Sequence, residues 1–186
     1  MRNRALKFAI GLAALGVALT VLVVYIERAT LRTYQDNIPY FNLVNKTKSQ
    51  TAEAHLWLEE LIAGDASLNF ERDVQATLTS AVSLLQGAYD GKQNDAGSFV
   101  AETTEETRAL LKESIFELEK LTAAANDRWK HKNETTVAAT DSTAEVIVSR
   151  PGDALDQQFD ASYAAFQLSL DRLEAHISQS ANSDAS

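Results

Sequence analysis

The residues best suited to chemistry in this chain are its histidines, and they are few. They are His55, His131 and His176, and no HExxH motif, glycine-rich phosphate loop or nucleophile elbow accompanies them. His55 and Glu59 are four residues apart, so on a helix they share one face and could supply half of a metal site. An ordinary side-chain pair on a helix surface explains the same spacing. We therefore expect no catalytic residue, no bound metal and no cofactor.

A second candidate for chemistry is a cation. Arg128, with Lys130 beside it, can receive the carboxylate of a ligand. The same guanidinium can instead pair with acidic side chains of the chain itself, and the suitable ones are Glu59, Glu60, Asp65 and Asp156. Because acidic residues outnumber basic ones, internal pairing is the simpler interpretation of Arg128.

The two tryptophans, Trp57 and Trp129, are the third candidate. Their rings can stack on a ligand, but large aromatic side chains near the ends of helices more often cover the apolar core. If the first interpretation holds, they join the histidine and the charged residues in one site. The candidate ligand-binding residues are then His55, Trp57, Glu59, Arg128, Trp129 and Asp156.

The elements that must position these side chains follow a long apolar stretch. Phe8–Ile26 comprises nineteen residues without a charge. As a helix it is roughly 28 Å long, close to the thickness of the hydrocarbon core of a bilayer. Arg2, Arg4 and Lys7 precede it, so we expect one membrane span with a cytoplasmic N-terminus and the remainder of the chain outside the cytoplasm.

A cleavable signal peptide is the alternative to an anchor. Its apolar region usually has 7–15 residues and ends at a small-x-small site. The stretch here is longer, and Gly16-Val17-Ala18 is followed by further apolar residues. At the end of the stretch, Glu27-Arg28-Ala29 has no small residue at the minus-three position. These features favour an uncleaved anchor.

Composition restricts the partners of the region after the anchor. From Glu27 onward the chain has 26 acidic and 14 basic residues, a net charge of −12 with His neutral. This charge argues against a nucleic-acid partner and against contact with an anionic membrane surface. The chain has no cysteine, which excludes disulfides and zinc-thiolate sites. Aromatic residues make up 8% and there are two prolines, a composition typical of long helices.

The first half of this region predicts two helices. Glu27–Asn37 continues the apolar helix as a polar neck until Pro39 kinks or breaks it. Apolar residues then recur at helical steps over Tyr40–Ala63, and Gly64 suits a left-handed C-cap. Asp65 or Ser67 can cap a second helix, which we expect over Leu68–Asp90.

The second half predicts two more helices. A third opens at Ser98, has Glu102 and Glu105 in its early turns, and shows an apolar stripe that comprises Leu110 or Leu111, Ile115, Leu118, Leu121 and Ala125. Asn133–Ser149 reads as an irregular cap. After Pro151-Gly152-Asp153, a fourth helix has a near-heptad stripe of Leu155, Phe159, Tyr163, Phe166, Leu170, Leu173 and Ile177. Ser178–Ser186 is a polar tail.

These elements predict an all-α protein: an antiparallel up-down four-helix bundle preceded by one N-terminal transmembrane helix. In that topology the end far from the membrane gathers Ala54–Asp65, Asn126–Lys132 and Asp153–Phe159, and with them all six candidate site residues. We expect a cytoplasmic N-terminus (1–7), a transmembrane anchor (8–26), a neck (27–38), an extracytoplasmic bundle (39–178) and a disordered tail (179–186).

Two segments carry a resemblance to a known family. AHLWLEELIAGD (Ala54–Asp65) closes the first bundle helix, and DQQFDASYAAF (Asp156–Phe166) lies in the last. Together with a single N-terminal membrane helix, they resemble the periplasmic four-helix-bundle input domains of bacterial methyl-accepting chemotaxis receptors and sensor histidine kinases. The similarity covers about residues 5–178.

The resemblance implies a sensor in the bacterial inner membrane with its bundle in the periplasm. Such domains dimerise through their first helices and pass a ligand-induced shift to a second membrane helix and a cytoplasmic signalling part. This sequence contains neither of those. Aspartate-type receptors also place arginines of the first helix at the dimer interface, and Tyr40–Ala63 has none, which argues against a simple amino-acid receptor.

Two functions therefore remain open. The chain is the input domain of a longer receptor for signal transduction or chemotaxis, and binds a small molecule or a partner protein. Alternatively, it is a free-standing, membrane-tethered adaptor or structural protein of the cell envelope, which binds another envelope protein through coiled-coil-like faces. Neither is an enzyme.

Overall fold

The protein consists almost entirely of long helices. A computed structural model describes the backbone of residues 2–99, 104–141 and 153–183, and the side chains of 15–25, 37–99, 104–133 and 153–182. The helices are α1 (Arg2–Ala63), a π-helical turn (Phe70–Gln75) that leads into α2 (Ala76–Tyr89), α3 (Glu105–Asp141) and α4 (Ala154–Ser183). The strands of the described chain are β1 (Gln93–Asn94) and β2 (Gly97–Ser98), which pair as an antiparallel hairpin. The prediction of an all-α protein is confirmed.

The first helix is longer than the sequence suggested. It runs without interruption through the predicted neck and through Pro39, so of the two predicted outcomes at this proline, a kink or a break, the break is wrong. A proline removes one helical hydrogen bond, and packing of the residues that follow can keep the helix continuous. Packing does begin here, since Tyr40, Leu43 and Val44 are buried.

The apolar stretch Phe8–Ile26 belongs to this helix, but the side chains of residues 8–14 and 26 lie outside the described ones. Its large apolar side chains between Leu15 and Tyr25 are 42–71% exposed. Among the residues described, no helix meets the length and hydropathy needed to span a bilayer.

The turn from α1 to α2 confirms one prediction and corrects another. Gly64 has φ +103°, and the amides of Gly64 and Asp65 donate to the carbonyls of Leu61 and Glu60, as in a left-handed C-cap. The next N-cap is Asn69, whose side chain accepts a hydrogen bond from the amide of Arg72 at 2.8 Å. The predicted caps, Asp65 and Ser67, instead bond each other within the turn.

The hairpin occupies the stretch where the sequence showed only a turn and the start of a helix. Ser98 lies in β2, so the prediction that it opens the third helix is wrong. The helix begins at Glu105 after Thr104, whose hydroxyl accepts the amide of Thr107 at 3.3 Å. Glu102 falls outside the described residues.

The last two helices also extend beyond their predicted limits. Helix α3 continues to Asp141, so residues 133–141 are helical rather than irregular, and residues 142–152 lie outside the described part of the chain. Asp153 caps α4 by accepting the amide of Asp156 at 2.8 Å. Helix α4 reaches Ser183, so the predicted tail is wrong for residues 179–183, and residues 184–186 lie outside the described part of the chain. Polar ends of this kind can extend a helix that packing has already nucleated.

Side-chain contacts give the directions of the helices. Lys48 of α1 contacts Asp171 of α4, and nearer its C-terminus α1 reaches the start of α4, so these two helices are antiparallel. Thr107 contacts His176, which makes α3 antiparallel to α4 as well. Two contacts show that α2, with the π-helical turn before it, is antiparallel to α3: Tyr89 contacts Arg108, and Phe70 contacts Trp129.

Each helix thus packs against two neighbours around one apolar core. The stripe predicted for the third helix is confirmed, because Leu111, Ile115, Leu118, Leu121 and Ala125 are all buried. In α4, Phe159, Phe166, Leu170, Leu173 and Ile177 are buried as expected. We call the end of the packed helices that holds Ala63 and Asp156 the distal end, and the end that holds Tyr40 and the hairpin the proximal end.

Candidate functional site

A fully buried arginine is the centre of the distal end. The side chain of Arg128, from α3, is 0% exposed. Its Nη1 and Nη2 atoms donate to the two carboxylate oxygens of Glu59 in α1, and Nη2 also pairs with Asp156 in α4. One guanidinium therefore joins three helices.

The environment of Arg128 keeps it charged. Burial alone lowers the pKa of Arg128, but the hydrogen bond with Glu59 and the charges of Glu59, Asp156 and Asp153 outweigh burial, so the pKa lies above its usual range. The guanidinium carbon also lies 5.6 Å from the centre of the Phe159 ring, which favours a cation. We conclude that the predicted internal pairing of Arg128 is correct.

His55 is attached to the edge of this cluster. Its Nε2 atom lies 3.7 Å from Oε1 of Glu59 and 3.9 Å from Oδ1 of Asp160. The imidazole ring meets the rings of Phe159 and Tyr163 edge-on, with centroids 5.0 and 4.6 Å away. This confirms that His55 and Glu59 share a face of α1. Among the described residues, no group of three or more His, Asp or Glu side chains could hold a metal ion.

The tryptophans do not join this cluster. Trp129 follows Arg128 in sequence but lies on the side of α3 that faces the π-helical turn, where it stacks on Phe70 with centroids 5.2 Å apart and planes 9° apart. Trp57 packs against the apolar core. Within the part of the chain that is described, no ring contact or hydrogen bond links Trp57 to Arg128. Of the two interpretations of the tryptophans, ligand stacking and core packing, both rings follow core packing.

A lysine secures the end of α1 beside these rings. The ammonium group of Lys132 donates to the carbonyl of Leu61, and it lies 5.4 Å from the centre of the Trp129 ring. Burial lowers the pKa of Lys132. A cation at a helix C-terminus is favourable, because the last carbonyls of a helix have no donor within it.

The structure thus brings four of the six candidate residues into one connected cluster: His55, Glu59, Arg128 and Asp156. Reasoning from the sequence did not predict that the rings of Phe159 and Tyr163 contact His55. It also did not predict that Lys132 donates to the end of α1. The spacing of Phe159 and Tyr163 on the α4 stripe was the available signal, because it places both rings opposite α1.

Chemically, the cluster is a closed ion pair network with a surplus of acid. The exposed fractions of the paired carboxylate side chains are 37% for Glu59 and 14% for Asp156, against 0% for Arg128. To bind Arg128, a ligand carboxylate would have to displace Glu59 or Asp156. The arrangement holds three helices together and leaves carboxylates, not the cation, toward solvent.

Comparison of the chain with models of protein families, with curated proteins and with solved structures produced no match. The resemblance to receptor input domains therefore stays a prediction from the residues.

Proposed function

We propose that this chain is a membrane-tethered, extracytoplasmic sensory input domain of a bacterial signalling receptor, built as an up-down four-helix bundle. The observation that carries the proposal is the continuity of α1. One helix leads from an exposed apolar segment, with Val17 at 65% and Val21 at 63%, into packed helices whose core begins at Tyr40. As long as the two halves of this helix keep one direction, a movement at either end is transmitted along it.

The membrane part of the proposal rests on the apolar sequence Phe8–Ile26 and on those exposed side chains. Lipid is the solvent in which such a surface is stable, because water makes exposed apolar side chains unfavourable. The basic residues Arg2, Arg4 and Lys7 support a cytoplasmic N-terminus and a periplasmic position for the packed helices.

Cysteine labelling tests this topology, since the chain contains no cysteine. Asn3→Cys and Glu53→Cys are introduced separately and treated with a membrane-impermeant maleimide in intact cells with a permeabilised outer membrane. We expect Glu53→Cys to react and Asn3→Cys to react only after lysis. Equal labelling of both before lysis, or recovery of the protein without membranes, would contradict the proposal.

The ligand of the proposed sensor is a small molecule or a partner protein. A thermal-shift screen of the full chain in detergent micelles against small metabolites tests for the former. The matched variant is His55→Ala, because His55 is 26% exposed at the edge of the cluster and its loss leaves the pairs of Arg128 in place. Stabilisation that persists unchanged in His55→Ala would place the ligand elsewhere.

One observation favours the second candidate, a tethered adaptor that binds another envelope protein. Arg128, one of the six candidate ligand-binding residues, is already bound by Glu59 and Asp156. A protein partner needs no such pocket and can use exposed apolar side chains such as Leu56 and Leu168, which are 57% and 52% exposed. Co-purification of a specific envelope protein that Leu56→Glu abolishes would support the adaptor.

For either function we propose a homodimer that packs through α1. Leu56 lies on the outer face of this helix, away from the buried Leu58 and Leu61. Light scattering of the full chain in detergent, with Leu56→Glu beside the parent, tests the dimer. A parent that is monomeric at every concentration would exclude it.

A further inference from the structure

The first buried residue among the described side chains of helix α1 comes directly after Pro39. Ile38 is 50% exposed, whereas Tyr40 is 8% exposed and the buried residues Leu43 and Val44 follow. Pro39 lies between the exposed Ile38 and the packed C-terminal half of α1. The position of this proline therefore coincides with the boundary between the two halves.

Pro39 makes that boundary a weak point of the helix. Proline has no N–H to donate to the carbonyl of Gln35, and its ring crowds that carbonyl. Interior prolines are among the usual sites at which helices bend. The helix nevertheless passes through this point, so its direction there depends on what packs against it.

The β-hairpin is what packs against Pro39. A Cβ atom placed on Gly97 would lie 2.8 Å from Cβ and 3.2 Å from Cγ of the proline, so only glycine permits this approach. Gly97 also has φ +153°, which disfavours any other residue. Beyond it, the ring of Phe99 meets that of Tyr40 edge-on, with centroids 5.0 Å apart.

The hairpin is in turn fixed to α2. The side-chain amide of Asn94 donates to the carbonyl of Leu84 at 2.9 Å, and its Oδ1 atom accepts the amide of Ala96 at 2.8 Å. Gly87 of α2 leaves room for this side chain, because a Cβ there would lie 2.8 Å from Nδ2 of Asn94. The contact between Lys46 and Asp95 is a surface pair of 3.4 Å and contributes little.

We propose that the hairpin is a brace that holds the hinge at Pro39 and so fixes the direction of the N-terminal half of α1 relative to the packed helices. When the brace is displaced, the two halves of α1 pivot about Pro39 while each half stays helical. This role of the hairpin depends only on the geometry of α1, and neither on what the packed helices bind nor on the membrane.

Spin-label distances test the brace directly. Tyr25→Cys and Glu53→Cys place labels on either side of Pro39, about 42 Å apart along a straight helix. We expect Gly97→Ala to broaden this distance distribution. We also expect it to raise amide hydrogen exchange in residues 36–44 by roughly tenfold, because the added methyl group forces the hairpin off the proline.

Gly64→Ala is the matched control. Gly64 also has a positive φ, +103°, but a Cβ there meets nothing within 4 Å, and it lies at the distal end. This variant also strains the backbone at a positive φ but adds no collision, and it should leave both readouts near Pro39 at parental values. Equal distributions and exchange in the two glycine variants would overturn the brace.

Asn94→Ala serves as a second variant if Gly97→Ala does not fold. It removes the hydrogen bond to Leu84 without adding atoms, so the protein keeps its core. Broadening in this variant supports the brace, and a distribution as narrow as that of the parent overturns it.

Discussion

The two ends of the packed helices are held together in different ways. At the distal end a buried cation, Arg128, joins α1, α3 and α4 through Glu59 and Asp156. At the proximal end, contact depends on shape: the backbone of Gly97 rests on Pro39, and Phe99 packs on Tyr40. Ion pairs hold the helices together at the distal end, and close approach of the backbone holds the hairpin on α1 at the proximal end.

The difference predicts how each end fails. The protein loses stability when one partner of a buried ion pair is removed, because the remaining charge is left without compensation. A close backbone contact fails when atoms are added. Shortening a side chain should therefore destabilise the distal end most, and enlarging one should destabilise the proximal end most.

The largest effect is expected for Arg128→Ala. It leaves Glu59 and Asp156 without their cation, and we expect a loss of about 3 kcal/mol in the free energy of unfolding, at the low end for buried pairs because Glu59 is partly hydrated. A urea titration followed by circular dichroism measures it.

The control for Arg128→Ala is Arg172→Ala. Arg172 pairs with Glu113 at 2.7 Å, with both side chains at least 40% exposed, so we expect a loss below about 0.5 kcal/mol. Equal losses for the two arginines would remove the distinction between a buried and a surface pair.

The next effect is expected for Gly97→Ala at the proximal end. The methyl group meets Pro39 and the residue must keep a positive φ, so we expect a loss of about 2 kcal/mol. Thermal unfolding measures it, with Gly64→Ala as the variant that carries the strain without the collision. If Gly64→Ala loses as much, the backbone and not the contact with Pro39 is responsible.

A smaller effect is expected for Asn69→Ala, which removes the N-cap of the π-helical turn at the distal end. We expect a loss of about 1 kcal/mol, because the amide of Arg72 loses its acceptor. Asp65→Ala, at the cap position that the sequence suggested, should change stability less. The reverse order in a urea titration would show that Asp65 and not Asn69 starts the helix.

The smallest expected effect is a change in how stability depends on pH. The hydrogen bond from Arg72, together with that from the amide of Asn69, lowers the pKa of Asp73 below its ordinary 3.8. Its contribution to stability is then fully present above that value and is lost as the pH falls through the lowered pKa. We expect the melting temperature of Asp73→Asn to fall less than that of the parent between pH 5 and about pH 2. Parallel curves would show that Asp73 does not contribute.

Much of the fold could be predicted because it depends on periodicity. The stripe of α3 and the C-cap at Gly64 follow from residue type and spacing, and both are confirmed. The limits of the helices could not be predicted as well. Pro39 signals an end, yet the helix continues through it into the packed residues Tyr40, Leu43 and Val44. The polar residues after Asn133 and Ser178 carry no apolar stripe although they continue helices.

The candidate site was predictable in part for the same reason. His55 and Glu59 share a face of one helix, and the surplus of acid made a partner for Arg128 expected. Trp129 shows the limit of this reasoning: it is adjacent to Arg128 in sequence, yet one residue along a helix turns the side chain by about 100°, toward Phe70.

The sequence by itself determined the helical class, the apolar segment Phe8–Ile26, the acidic charge and the core stripes, because each depends on residues close together in the chain. Only the tertiary structure decided that Arg128 is buried and shared between Glu59 and Asp156, and that Gly97 reaches Pro39. The contacts of Arg128 with Glu59 and of Gly97 with Pro39 join residues more than fifty positions apart, and that of Arg128 with Asp156 spans 28 positions. Such contacts arise from the packing of helices in space, which no local pattern records.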